Sequence, residues 1–141
     1  MATRFKGKEA EAVYGPVGTL LSAPRFFGKI VQTNGTTIGF KLKEDAIVQT
    51  LDAMCLMAHS TVFKQGLYFD EKFRFHLYAA DLCMQAYRLG FDILAMQLDC
   101  QHKSKTLWGD VYSPEYLSSL ELFREKWKQF LPIRATTGLI E

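Results

Sequence analysis

No apolar run in this chain approaches the roughly 20 residues that cross a bilayer, and no secretory leader pattern opens it. A membrane span is therefore not expected. Cysteine is scarce and odd in number: Cys55, Cys83 and Cys100, each inside an apolar segment. That argues against a disulfide scaffold and fits buried thiols in a reducing cytoplasm, the location expected here. No second Cys/His pair stands at zinc-like spacing from Cys100-Gln101-His102, which argues against a structural zinc. Charge of one sign is not in excess either. Seventeen Lys and Arg against fifteen Asp and Glu leave +2 at neutral pH, so nothing compels a nucleic-acid partner. Internal repeats and low-complexity segments are absent.

What the chain does have is apolar and aromatic mass. Hydrophobic residues make up 48%, with 11 Phe, 6 Tyr and 2 Trp among 141 residues. That is one domain with one core. Residues 11–132 are expected to form it, with 1–10 and 133–141 loose at the ends.

Residues 11–21 read as a short strand broken at Gly15-Pro16, and 25–33 as a second strand. Asn34-Gly35 follows as a hairpin turn, because both residues accept positive φ, and 36–42 return as the next strand. The unbroken run Met54-Cys55-Leu56-Met57 predicts a strand buried on both faces. Ser60 is the expected cap of a short helix that Gly66 ends. Over residues 77–89, Ala79, Leu82, Cys83 and Ala86 recur at helical spacing, with Asp81, Gln85 and Arg88 on another face and Gly90 as the stop. Residues 92–98 return to strand character, and 102–112 form a polar loop. Ser113, Pro114 and Glu115 open a last helix, in the order cap, first position and acidic first turn. Its apolar stripe is Tyr116, Leu120, Phe123, Trp127 and Phe130, and Pro132 closes it.

The polar chemistry concentrates in residues 69–102. Phe69-Asp70-Glu71, an aromatic-rich spacer, Asp81-Leu82-Cys83, the Gly90 stop, a strand and then His102 resemble the C-terminal half of family-2 glycosyltransferases of the GT-A, nucleotide-diphospho-sugar transferase fold. Upstream, Leu51-Asp52-Ala53-Met54-Cys55-Leu56 resembles the family strand that often reads L-D-G-x-C-L. The likeness covers roughly residues 46–130, and the order and spacing of its pieces carry it rather than any one of them. It implies an α/β domain with a mixed β-sheet, a β-hairpin and two to three helices. It also implies a carboxylate at the later helix that deprotonates an acceptor hydroxyl, and a metal that steadies the leaving diphosphate.

Carried onto this chain, the resemblance makes Asp81 the catalytic carboxylate, because an ungapped comparison puts the family's acidic pair at Tyr78-Ala79, where no carboxylate stands. It makes Asp52, Asp70, Glu71, Lys103 and Trp108 substrate-binding and His102 a metal or phosphate contact. Manganese or magnesium is implied only in company with a nucleotide sugar. These 141 residues contain no D-x-D, and the family's nucleotide-binding half does not precede the likeness. The chain is therefore expected to be inactive alone, with a homodimer or a partner chain supplying that half. Each residue also has a plainer reading. Asp81 offsets a helix dipole, Asp70-Glu71 forms a turn, and His102, Lys103 and Trp108 belong to a solvated basic loop with one anchoring aromatic. A non-catalytic sugar- or anion-binding module, or a protein-interaction module, is the alternative function.

Overall fold

In the computed structural model, which describes residues 11–103 and 112–141, the chain is a mixed α/β fold. Two sheets, a C-terminal hairpin and three helices make it up. The first strand region breaks at Pro16, which has no N–H for a ladder. Its two pieces, β1 (Ala12–Gly15) and β2 (Gly18–Leu20), go to different sheets. The long strand β3 (Ala23–Gln32) turns through Asn34-Gly35 into β4 (Thr37–Phe40), as the turn residues predict. At Gly28 the ladder shifts register. The glycine's φ of 100° suits the bulge, and a Cβ there would run into the Pro16 carbonyl.

β5 (Ala46–Ile47), β8 (Asp92–Ala95), β1 and β7 (Met57–Ala58) form the first sheet in that order. Within it β1 and β8 are parallel, so a crossover must join them. Helix α2 (Tyr78–Arg88) lies on that crossover and ends where Gly90, at φ 80°, lets the chain turn. The second sheet runs β4, β3, β2, β6 (Thr50–Leu51), and β9 (Cys100–His102) joins β3 in parallel. The short helix α1 (Ser60–Lys64) is capped by His59, one residue before the expected Ser60. Helix α3 (Pro114–Trp127) starts as predicted, with the Ser113 hydroxyl accepting from the Tyr116 N–H at 3.1 Å.

Helix α2 is covered on two sides. Leu82, Cys83 and Ala86 pack with Val13, Leu51 and Ile93 of the sheets. Ala80 and Met84 pack with Phe123 and Trp127 of α3. The Asp81–Gln85 face is therefore buried under α3, where a plain amphipathic reading would leave it wet.

Two expectations need correction. The run Met54–Met57 is not a buried strand. Only Met57 and Ala58 are in a strand, and Met54, Cys55 and Leu56 are half-buried in the turn before it. Neither the strand nor the burial on both faces follows from a continuous apolar run alone. The tail is not loose either. β10 (Ile133–Ala135) and β11 (Gly138–Ile140) form a hairpin that buries Ile133, Ala135 and Ile140. The Arg134 carbonyl accepts from the hydroxyls of Thr19 at 2.9 Å and Thr50 at 2.7 Å, and the Arg134 N–H donates to Gln49 Oε1 at 2.8 Å. Those threonines are buried in the second sheet, with their hydroxyls 3.0 Å apart, and the Arg134 carbonyl gives both a shared acceptor. Among the described residues no helix is long and apolar enough to cross a membrane.

Candidate functional site

A cleft of about 430 Å³ opens between the second sheet and the start of α2. Its sheet side carries Phe26, Ile30, Gln32, Ile38 and His102. These belong together by register, because Ile30 stands opposite Ile38 of β4, and Gln32 opposite His102 of β9. Residues 51–54, from the end of β6 onward, form one wall. Residues 75–80, which lead into α2, form another, and 135–137 of the C-terminal hairpin complete it. The size falls within the roughly 300–1,000 Å³ of small-molecule sites, and the mixture of rings with a few polar groups is typical of them.

The local backbone explains how each wall is held. The Asp52 side chain turns back on its own loop, Oδ1 accepting from the Met54 N–H at 2.9 Å, and the Asp52 N–H donates to the Val17 carbonyl at 2.8 Å. The Tyr78 hydroxyl donates to the Ala53 carbonyl at 3.2 Å, joining the helix start to that loop. Burial, and after it the Asp52 charge, pushes the Tyr78 phenol up, so it stays protonated as a donor. Leu77, just before α2, sits at φ 62°, a left-handed conformation uncommon for a leucine. It is a cleft residue, where strained backbone is often found.

The residues singled out from sequence fall into separate places. Asp52 and His102 line the cleft. Ala79, at the position of the expected base, lines it too and offers only a methyl group. Asp81 does not. It is 1% exposed, and its oxygens receive the Trp127 indole N–H at 2.8 Å, the Gln85 amide at 2.6 Å and the Lys126 ammonium at 2.7 Å. A carboxylate so enclosed has no access to an acceptor hydroxyl, and its role here is to anchor α3 on α2. Asp70 holds the same ammonium from the other side at 2.7 Å. The Lys126 hydrogen bond keeps the Asp70 carboxyl below its ordinary range. Burial pulls the Lys126 ammonium down, but the bonds from Asp70 and Asp81 outweigh it and the net direction is upward. Glu71 is exposed beside a different, shallow groove with Arg74, Ser118 and Ser119. Lys103 is exposed next to His102, and Trp108 lies outside the described residues.

A metal at His102 would need further donors, since divalent ions take several N, O or S ligands. Among the described residues no three His, Cys, Asp or Glu side chains are placed to hold an ion. Among the described residues the donor set around His102 therefore does not fit the implied cation.

Gln32, His76 and residues 136–137 reach the cleft without being singled out by their sequence context. Gln32 ends a strand, His76 hides in an aromatic stretch, and the threonines lie in a tail with no motif around them. Only the presence of His76 between Phe75 and Leu77 hinted at a polar group in an apolar setting. Among known proteins, no family model and no curated sequence matches this chain.

Proposed function

We propose that these residues form a glycosyltransferase-like unit, corresponding to the acceptor-side half of a GT-A fold, which holds a small ligand in the cleft and does not transfer sugar by itself. The observation that carries the reading is the meeting of Asp52, Ala79 and His102 at one cleft. They are distant in sequence, and the resemblance picks out all three positions. The cleft lies at the start of α2, the helix on the crossover between the parallel strands β1 and β8.

Transfer requires a base at the acceptor hydroxyl and a means of steadying the departing diphosphate. Ala79 supplies no base, Asp81 is sealed, and no Lys or Arg side chain lines the cleft among the described residues. Loss of general-base help alone costs about a hundred- to ten-thousand-fold in rate. The diphosphate side would then come from a partner chain or a second copy.

The test is a panel of nucleotide sugars with manganese or magnesium, simple saccharide acceptors and the isolated chain, reading nucleoside diphosphate release. The expected outcome is no release above background. Steady turnover that Asp52→Asn abolishes would overturn the reading and make Asp52 the base.

A second reading, a protein-interaction module, draws on one observation. Phe63 and Phe69 stack at 6.3 Å with about half their surfaces exposed, and Phe69 leans on Tyr78 at the cleft. Exposed aromatic groups of this kind are frequent at interfaces.

A further inference from the structure

We propose that Asn34 is a self-modifying site: the Gly35 main-chain nitrogen closes on the Asn34 carboxamide, and the isoaspartate that results unfastens the end of the second sheet at the cleft. The proposal stands on the β3–β4 turn and does not require the cleft to hold a ligand.

Asn34 is the one asparagine of the chain, and a glycine follows it. Asparagine is among the chemically labile residues. Both residues are exposed at the tip of the hairpin. The Asn34 side-chain oxygen accepts from the Thr36 N–H at 3.0 Å. This Asx turn brackets Gly35 between the carboxamide and the bonded N–H, and it draws electron density from the amide carbon. Gly35 sits at φ 86°, and a Cβ added to it would meet nothing within 4 Å among the described residues. The nitrogen is therefore approached with no side chain in the way. One bond opposes the attack, because the Gly35 N–H donates to the Gln32 carbonyl at 2.9 Å. Backbone bonds in exposed turns open locally at little cost, and one such bond slows the attack by about tenfold at most.

The step needs only water. Hydroxide takes the proton of the Gly35 N–H. The nitrogen bonds to Asn34 Cγ, the Cγ–N bond of the carboxamide breaks, and the amide nitrogen regains a proton from water and leaves as ammonia. Water then opens the succinimide ring. Opening at one carbonyl gives aspartate. Opening at the other gives isoaspartate, whose main chain runs through the former side-chain carbon. Nothing is oxidised or reduced. Gln65-Gly66 is exposed as well and also carries the glycine, but its longer side chain would have to close a larger ring, which is slower.

The two products act differently on the fold. Aspartate keeps the main chain, and its carboxylate still accepts from the Thr36 N–H. Isoaspartate lengthens the main chain by one atom and takes the carboxylate off the side chain, so the bonds across Gly35 lose their geometry. The Gln32 N–H donates to the Thr36 carbonyl at 2.8 Å, and Gln32 stands opposite His102 of β9. Both residues line the cleft, so the disturbance reaches its sheet side.

The experiment ages the folded full chain in mildly alkaline buffer and maps its peptides by mass spectrometry, with enzymatic methylation to mark isoaspartate. The peptide holding Asn34 should gain the mass of an amide-to-acid exchange and take the isoaspartate mark, and the peptide holding Gln65-Gly66 should do neither. Hydroxylamine, which cleaves the ring intermediate, should cut the chain into 1–34 and 35–141. The isoaspartate form, isolated by chromatography, should shift the backbone amide signals of Gln32 and His102, whereas Asn34→Asp should leave them in place. An Asn34 peptide that stays unchanged in the folded chain while it converts in urea would show that the turn protects Asn34, and would overturn the proposal. Unchanged mass in both states would overturn it too. Conversion that leaves the Gln32 and His102 signals where they were would overturn the link to the sheet.

Discussion

At the scale of single residues, burial decides what a carboxylate does. Asp81 and Asp52 look alike in sequence, each a lone aspartate in an apolar setting. One is enclosed by an indole N–H, an amide and an ammonium, and the other opens to a cleft. Enclosed charges are costly to leave half-paired, because the surviving partner stays buried without compensation. Asp81→Asn keeps the shape but strips the charge that faces Lys126. It should destabilise the fold by about 1.5–3 kcal/mol, the range for losing hydrogen bonds to a charged group, because Lys126 keeps Asp70 as its partner. Trp127→Phe, which removes one donor and keeps the ring, should cost about 1–2 kcal/mol. Urea unfolding followed by circular dichroism measures both. An Asp81→Asn midpoint equal to the parent's would mean that the aspartate does not hold α3 on α2. Cys83 makes the same point for a thiol. It is fully buried, and burial pushes it up to about 12, so it is inert packing between α2 and the sheet.

At the scale of elements, Lys126 of α3 ties the loop before α2 to α2 itself, through Asp70 and Asp81. The rings of Tyr68, Phe73 and Trp127 surround the ammonium at 5.4–5.8 Å and shield the tie from water. Because the Asp70 carboxyl titrates below the ordinary 3.8, its contribution is present above that value and is lost as pH falls through the depressed one. Lys126 titrates above the ordinary 10.5, so its contribution is present below that value and lost only as pH rises through the raised one. The tie therefore holds across neutral pH and fails in acid. Between about pH 5 and pH 2 the parent's melting temperature should fall more steeply than that of Asp70→Asn, which has no such contribution to lose. Parallel curves would show that the pair adds nothing. The elements that make this tie were legible to different degrees. Helix α3 announced itself through Ser113, Pro114 and its stripe, and the β3–β4 hairpin through Asn34-Gly35, because caps and turns are local chemistry. The conformation of 54–57 was not legible, since a run of apolar residues can lie half-buried in a loop as readily as in a strand. Nor was the cleft beyond Asp52 and His102. Gln32, His76 and residues 135–137 come together only through sheet register and the docking of the hairpin.

At the scale of the whole molecule, the C-terminal hairpin joins what would otherwise be two separate layers. Ile133, Ala135 and Ile140 complete the core built by Phe123 and Trp127 of α3, while Arg134 bonds to Thr19, Gln49 and Thr50 at the second sheet. The next residues, 135–137, wall the ligand cleft, and Thr137 meets the Tyr116 hydroxyl of α3 at 2.7 Å. One short segment thus connects helix, sheet and site. Burying a single isoleucine is worth about 1.5–3 kcal/mol, and the hydrogen bonds from Thr19 and Thr50 to the Arg134 carbonyl add about 0.5–1.5 kcal/mol each. Two isoleucines and these hydrogen bonds together reach into the roughly 5–15 kcal/mol that holds a whole domain folded. Removing residues 133–141 should therefore abolish cooperative unfolding and collapse the dispersion of the amide spectrum, although the segment is a small part of the chain. A gentler variant separates docking from deletion. Ile133→Ala should keep the fold while costing about 2–5 kcal/mol, the range for emptying a fully buried isoleucine site. Thermal melts of both variants decide the matter. A truncated chain that still melts cooperatively within a few degrees of the parent would show the hairpin to be an ornament on a fold complete without it.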